Sequence, residues 1–338
     1  MPAEWEPHDG CLMAWPARRE LWNAQYAEAI TEYTNTAAAI VAFEPVTMIA
    51  APGDGDQARA ALPGDVDVIE LPIDDSWLRD SGPIFTVTMS SAKDGGDQGQ
   101  GQRAGVDFVF NSWGEKFVPW DQDAALAEAL LAELGETRRA SEMVLEGGSI
   151  SVDGAGTLVT TEQCVLHPSR NPDMSRADIE AEWRRTLGVD TFVWLPWGLI
   201  EDTHTDGHVD NVCAFVRPGV VITQSCDDSQ NPNADRMAAN LEVLSAVTDA
   251  AGARLEVIEV PQMSYFEIEG ATYRNSYLNF YIANGGIVVP TADHPNDVDA
   301  LAIIAAAFPD RDVVGVTSRV LAYGGGGIHC ITQQLPSV

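Results

Sequence analysis

Three stretches of the chain repeat one short pattern, and that repeat limits the possible folds more than any single motif does. They are Gly156–Thr161 (GTLVTT), Gly219–Gln224 (GVVITQ) and Gly286–Thr291 (GIVVPT). Each is a glycine followed by a short β-branched apolar run, which reads as a buried strand. A helical segment follows each strand. Ser175–Leu187 opens with Ser175 and Asp178 in capping-box spacing and stops at Gly188. Asn233–Ala251 stops at Gly252, and Asp297–Phe308 stops at Pro309. A further strand comes after each helix, at Thr191–Leu195, Leu255–Val260 and Asp312–Val316. The first half repeats the plan more loosely. Val46–Ala50, a helix near Asp56–Leu62 and Val66–Leu71 form one copy. Asp107–Phe110, the helix Asp121–Leu134 ending at Gly135, and a strand near Glu142–Leu145 form another. Five copies of about 60–70 residues therefore fill the 338-residue chain.

After its second strand, every copy has a polar, glycine-containing turn just ahead of a third strand. The turns are Asp74–Pro83, Glu146–Ser149, His204–Asn211, Gly270–Asn275 and Gly327–Cys330. If the copies are related by rotation about one axis, these turns meet at the centre. The groups brought together are then Asp80, Glu146, His208 with Asp210, and Cys330. The expected fold class is α/β, a barrel-like ring of βαβ-type modules forming a single domain over residues 1–338. The polar stretch Ser90–Gly105 (SSAKDGGDQGQGQRAG) reads as a flexible surface loop inside it.

Cys330 lies eight residues from the C-terminus, directly after the run Gly324-Gly325-Gly326-Gly327-Ile328-His329. Four glycines allow positive φ or close backbone approach, at a chain end where order normally fades. A cysteine beside a histidine is the minimum for nucleophilic catalysis. Three carboxylates around that pair oppose thiolate formation and repel anions. They make sense if the electrophile is itself cationic and planar. A guanidinium fits, because its N–H groups pair bidentately with carboxylates. The reaction inferred is thiolate attack on the guanidinium carbon, loss of ammonia assisted by the histidine, and hydrolysis of the S-alkylthiouronium.

Charge agrees with this. The chain has 51 acidic and 19 basic residues, a net charge of −32, and its only lysines are Lys93 and Lys116. That balance argues against nucleic acid and anionic membranes as partners and suits a cationic substrate, although an acidic surface also serves solubility in a salty cytoplasm. The longest apolar run, Ala300–Phe308, is far short of the roughly 18 residues of a spanning helix. No basic-then-apolar leader opens the sequence. The five cysteines are scattered without a CxxC pair, so a reduced, cytoplasmic protein is expected, with homo-oligomerisation open.

The motifs also carry a resemblance. Met1–His8 (MPAEWEPH), Ala14-Trp15-Pro16, Trp77–Pro83 (WLRDSGP), Trp113-Gly114 and Pro119-Trp120-Asp121 start a pattern spanning nearly the whole chain. Glu146–Ile150 (EGGSI), Gly207–Asn211 (GHVDN), Ser276–Phe280 (SYLNF), Asn284-Gly285-Gly286 and Gly326–Gln334 (GGIHCITQQ) complete it. In these motifs the chain resembles the agmatine deiminase and Porphyromonas-type peptidylarginine deiminase family of guanidine-modifying enzymes. The resemblance implies a five-bladed, pseudo-fivefold α/β propeller (pentein). It implies Cys330 as nucleophile, His208 as general acid and base, and Asp80 and Asp210 as grips on the guanidinium nitrogens. Glu146 would hold substrate or orient His208, Trp77 would form pocket wall, and Gly327 would admit a flat cation beside the thiol. No metal or organic cofactor is implied, and the most favoured reaction is agmatine plus water to N-carbamoylputrescine plus ammonia. Two places depart from the family pattern: Gly114-Glu115-Lys116 differs from the usual glycine-rich version, and His204 stands where a glutamate is usual, so the substrate's far end, near His204, is the least determined part.

Other readings are an amidinotransferase of the same fold and a metal-dependent hydrolase using His204, Asp206, His208 and Asp210, which alternate along one strand-like stretch. His329 reads as structural, on the opposite face of a strand from Cys330, and Cys11, Cys164, Cys213 and Cys226 read as core or surface thiols.

Overall fold

The computed structural model describes residues 1–88 and 101–338. Its architecture is mixed α/β, with five sheets of three or four strands and one small hairpin. Four sheets share one plan, an antiparallel edge strand, a central strand and a parallel strand reached through a helix. In the third sheet, Ile150–Val152 runs antiparallel to Thr157–Thr161, which pairs in parallel with Thr191–Leu195. The connecting helix Arg176–Leu187 forms where expected. Ser175 and Asp178 make the reciprocal capping-box bonds, and Gly188 ends the helix at φ 69°. Its apolar face (Ile179, Trp183, Leu187) is buried against Leu158 and Trp194 of the sheet.

The second, fourth and fifth sheets repeat this arrangement around Gln102–Val109, Val220–Ser225 and Gly286–Thr291. The first sheet holds one more strand. His8–Ala14 lies parallel to Val46–Ala50, and the last strand of the chain, Thr332–Pro336, pairs antiparallel with it, Met13 opposite Thr332. The C-terminal strand thus closes onto the N-terminal one.

Four expectations need correction. The strand expected near Glu142 runs over Thr137–Val144. The helix expected to reach Ala251 ends at Ala246, and Thr248 and Arg254 instead form an isolated bridge. Within the expected loop Ser90–Gly105, the residues from Gln102 onward belong to the strand Gln102–Val109, and residues 90–100 lie outside the described ones. The fourth turn is displaced. Phe266–Ile268 and Ala271–Tyr273 form a hairpin, and the hydrogen-bonded turn before the next edge strand is Ser276–Asn279. The helix Tyr26–Val41, which the reading of the sequence did not place, connects the parallel strands His8–Ala14 and Val46–Ala50 and packs between the first and fifth sheets. No helix among the described residues is long and apolar enough to cross a membrane.

Each turn joins the last strand of one sheet to the edge strand of the next, and each is compact. Leu78–Ser81, Gly147–Ser149, Val209–Asn211 and His329–Ile331 are single helical turns. They also bind one another in order. The Gly148 N–H donates to Asp80 Oδ1 (3.0 Å), and His208 Nε2 faces Glu146 Oε2 at 3.8 Å. The Ser276 hydroxyl donates to the Asn211 carbonyl (2.8 Å), and the His329 N–H to that of Asn279 (3.0 Å). Arg79 Nε closes the series by donating to the His329 carbonyl (3.3 Å).

Candidate active site

The meeting point of these turns lies over Gly148. A side-chain carbon there would stand 2.6 Å from His208 Nδ1, 2.8 Å from Asp210 Oδ2 and 3.1 Å from Asp80 Oδ1. Glycine is required because the space it leaves is shared by three functional groups. Asp80, Glu146, His208, Asp210 and Cys330 are all buried and all converge here, as the repeat implied.

Cys330 Sγ lies 3.6 Å from Asp210 Oδ2 and receives a hydrogen bond from Asn279 Nδ2 at 3.3 Å. Burial, then the charges of Asp210 and Asp80, push its thiol well above the usual range, and the Gly327 amide and Asn279 partly offset this. These surroundings favour the thiol over the thiolate. Asp80 accepts from Trp113 Nε1 (2.9 Å) and the Gly148 N–H, while His208 Nδ1 stands 3.8 Å from its Oδ2. Burial raises the Asp80 carboxyl above its ordinary value although His208 acts the other way.

Burial alone would discharge His208, but Asp80, Cys164 and Glu146 together hold its imidazole well above the ordinary value, so it carries a proton. The backbone N–H of His208 donates to Asp202 Oδ2 (3.0 Å) and the Thr205 hydroxyl (3.2 Å), which fixes the turn that carries the ring. Burial would likewise raise Glu146, yet its bonds to His208 and Arg170 keep it below the usual carboxylate range; Arg170 Nε donates to its Oε1 at 2.7 Å. Asp210 Oδ2 accepts from His329 Nδ1 (3.1 Å), while Oδ1 is buried with no partner among the described residues.

A pocket reaches this cluster from outside, walled by Trp77, Asp80, Trp113, Phe117, His204, Gly324–Gly326 and Cys330. Gly326 packs on the Trp77 ring and the Cys330 Cβ, so the glycine run lets the pocket come up to the thiol. Gly327 is not in that wall; it packs against Asn279 and Asn275. His204 separates the pocket from a wider outer cavity of about 250 Å³ that it also lines, with Glu201, Asp202 and Arg274. Phe117 meets the His204 ring edge-on at 5.4 Å.

A model of the Porphyromonas-type peptidyl-arginine deiminase family matches residues 1–336. The chain belongs to that family. Among its relatives, the agmatine deiminase of Medicago truncatula is 42% identical over 362 aligned positions, covering 100% of this chain and 96% of that protein. The agmatine deiminase of Ectopseudomonas mendocina is 43% identical, with 100% and 95% covered. The solved agmatine deiminase of Enterococcus faecalis superposes with a TM-score of 0.92 at 34% identity, covering 100% of this chain and 95% of that one.

Several groups in this deiminase-family site escaped the reading of the sequence. His329 does not face away from Cys330, because His329–Ile331 is a helical turn and not a strand; its ring joins Asp210 to Glu4 (Nε2 to Oε1, 3.0 Å). Arg79 pairs with Glu4 (3.5 Å) and Gln334. Cys164 is no bystander in the core but lies against His208 and Glu146. Asn279 and Trp113 stood inside recognised motifs without a role, and Arg170 had no signal. The four alternating groups of the metal-hydrolase reading do not converge. Positive φ at Asp206 (64°) and Gly207 (95°) breaks the alternation, and Asp206 is held by Arg170 and Lys116.

Proposed function

We propose that the protein is an agmatine deiminase, converting agmatine and water to N-carbamoylputrescine and ammonia through a thiouronium on Cys330. The observation that carries this is the cluster over Gly148. The His208 imidazole and the carboxylates of Asp80 and Asp210 surround one small space there, the Cys330 thiol lies 3.6 Å from Asp210 Oδ2, and Asp210 Oδ1 has no partner among the described residues. The relatives at 42–43% identity bear that activity's name over their whole length.

The guanidinium enters past Trp77 and lies between Asp80 and Asp210, its N–H groups taking the acceptors those residues leave open. Its positive charge cancels the carboxylates that hold the thiol proton in place, so substrate binding itself favours the thiolate, the proton passing to solvent. Sγ then attacks the central carbon to form an S–C bond. His208 donates its proton to the departing nitrogen, and ammonia leaves as the C–N bond breaks. The same imidazole, now neutral, takes a proton from water, whose oxygen adds to the thiouronium carbon. Collapse breaks the S–C bond, the hydroxyl proton of the adduct passes to the departing sulfur to restore the thiol, and the ureido product is released. Glu146, anchored by Arg170, orients His208 through both half-reactions.

The five sheets serve as blades of one pseudo-fivefold domain, with the cyclic bonding of their turns as its hub. His204 supports a second substrate reading. It is a ring without side-chain hydrogen bonds among the described residues, at the neck of the pocket, and a guanidine with a different far end fits that neck as well.

The test is a set of guanidines (agmatine, arginine, N-alkylguanidines and guanidino acids) assayed for ammonia and ureido product. Agmatine is expected to give the highest kcat/KM, without an added amine acceptor. Turnover only when an amine is supplied would assign an amidinotransferase. Preference for another guanidine would keep the reaction and change the substrate.

A further inference from the structure

Beside His208 and Glu146 stands a thiol, Cys164, that the reaction does not use. Cys164 Sγ, a ring nitrogen of His208 and a Glu146 oxygen all lie within 4.8 Å of one another, and it is the only such metal-competent group among the described residues. All three residues are buried, Cys164 and His208 completely. Neither ring nitrogen of His208 has a hydrogen-bond partner among the described residues. Arg170 occupies Glu146 Oε1, so Oε2 is left facing His208 Nε2 at 3.8 Å. A thiolate, an imidazole and a carboxylate are the ligand types zinc takes. At metal–ligand distances of about 2.0–2.3 Å, tetrahedral donors sit roughly 3.5 Å apart, a small contraction of what is found here.

We propose that Cys164, His208 and Glu146 form an inhibitory site for a zinc-class divalent cation. The ion would bind Cys164 Sγ, His208 Nε2 and Glu146 Oε2, with water in the fourth position, and would displace the thiol proton and any proton on Nε2. It would remove the imidazole from proton transfer and leave Cys330 untouched. The Arg170 guanidinium beside Glu146 weakens the site relative to a structural zinc centre, which suits reversible occupancy. Binding rests on the donor set alone; inhibition rests also on the catalytic reading of His208. The two are therefore tested separately.

Binding is read with cadmium, in full-length protein carrying Cys226→Ser and Cys330→Ser so that the more exposed thiol and the nucleophile cannot respond. One equivalent of Cd²⁺ is expected to give a saturable thiolate-to-metal absorption band and a single ¹¹³Cd resonance in the range of one sulfur with nitrogen and oxygen ligands. Adding Cys164→Ser should abolish the band, and Glu146→Gln should weaken binding at least ~10-fold. No band, or a band indifferent to Cys164→Ser in protein with an unchanged circular dichroism spectrum, would overturn the site. The ¹¹³Cd resonance decides the point without that variant: a shift lacking a sulfur ligand also overturns it. Inhibition is read with Cys330 in place. Zn²⁺ should depress ammonia release at least ~10-fold, reversed by chelator, with Cys164→Ser resistant by a similar factor. Cd²⁺ bound through Cys164 without Zn²⁺ inhibition would retain the site and refute its control of catalysis.

Discussion

Cys330 is surrounded by charge of the wrong sign for a free thiolate, and this makes its reactivity conditional. With Asp210 and Asp80 beside a buried sulfur, the thiol stays above its ordinary value of 9.0. Alkylation of the free enzyme by iodoacetamide should accordingly be slow at neutral pH and still rising at pH 9; a plateau near neutrality would mean a preformed thiolate. Asn279 is the group that donates to the sulfur, at 3.3 Å. Asn279→Ala is expected to lower kcat/KM by roughly 10- to 100-fold, the worth of a hydrogen bond to a developing charge, and to cost about 1–3 kcal/mol of stability, because the buried Oδ1 also accepts the His329 N–H at 3.0 Å. Cys330, His208 and the carboxylates were legible because cysteine, histidine and three acids recur at equivalent points of a repeat. Asn279 and Arg170 were not, since an amide and an arginine acquire meaning here only through the atoms they touch. Cys164 was read as a core or surface thiol because nothing in the sequence marks the histidine that burial places beside it.

At the scale of elements, the turns carry the chemistry and the segments around them hold the turns. Glu4, close to the N-terminus, reaches His329 and Arg79 behind Asp210. Burial would raise its carboxyl, but His329 and Arg79 bring it down from 4.5 to about 2. A depressed carboxylate stabilises the fold above its unfolded value and ceases to as pH falls, here between about 4.5 and 2. Glu4→Gln should thus lower the Tm at pH 6, a loss of about 1–3 kcal/mol, and flatten the acid limb of Tm against pH in that window. Parallel curves for parent and variant would show that Glu4 is not ionised in the network. Strands and helices of the repeats were readable from glycine-led apolar runs and capping residues such as Ser175 and Asp178. The fourth turn was misplaced because the inserted hairpin Phe266–Tyr273 puts a glycine, Gly270, where the repeat leads one to expect the turn. Tyr26–Val41 was missed because the first copy was read as starting at Val46–Ala50, whereas this helix crosses to that strand from His8–Ala14.

For the whole molecule, the sequence indicated that five modules exist and that their turns should meet, while the order of contacts around the hub and the closure of Thr332–Pro336 on His8–Ala14 required coordinates. Pairing across that many intervening residues leaves no local pattern. A net charge of −32 around a site for a cation has a kinetic consequence. Screening shortens to about 10 Å at 0.1 M salt, so kcat/KM for agmatine should fall as sodium chloride is raised, mostly through KM. A salt-independent KM would mean that the surface charge serves solubility alone.

The central claim is that carbon–nitrogen cleavage proceeds through a bond to Cys330. Its most direct test is denaturing mass spectrometry of enzyme quenched in acid during turnover of agmatine, with peptide mapping. The account predicts an adduct with the mass of agmatine less ammonia, located on Cys330, and absent in Cys330→Ser together with ammonia release. Full turnover by a folded Cys330→Ser enzyme, or an adduct on another residue, would contradict it.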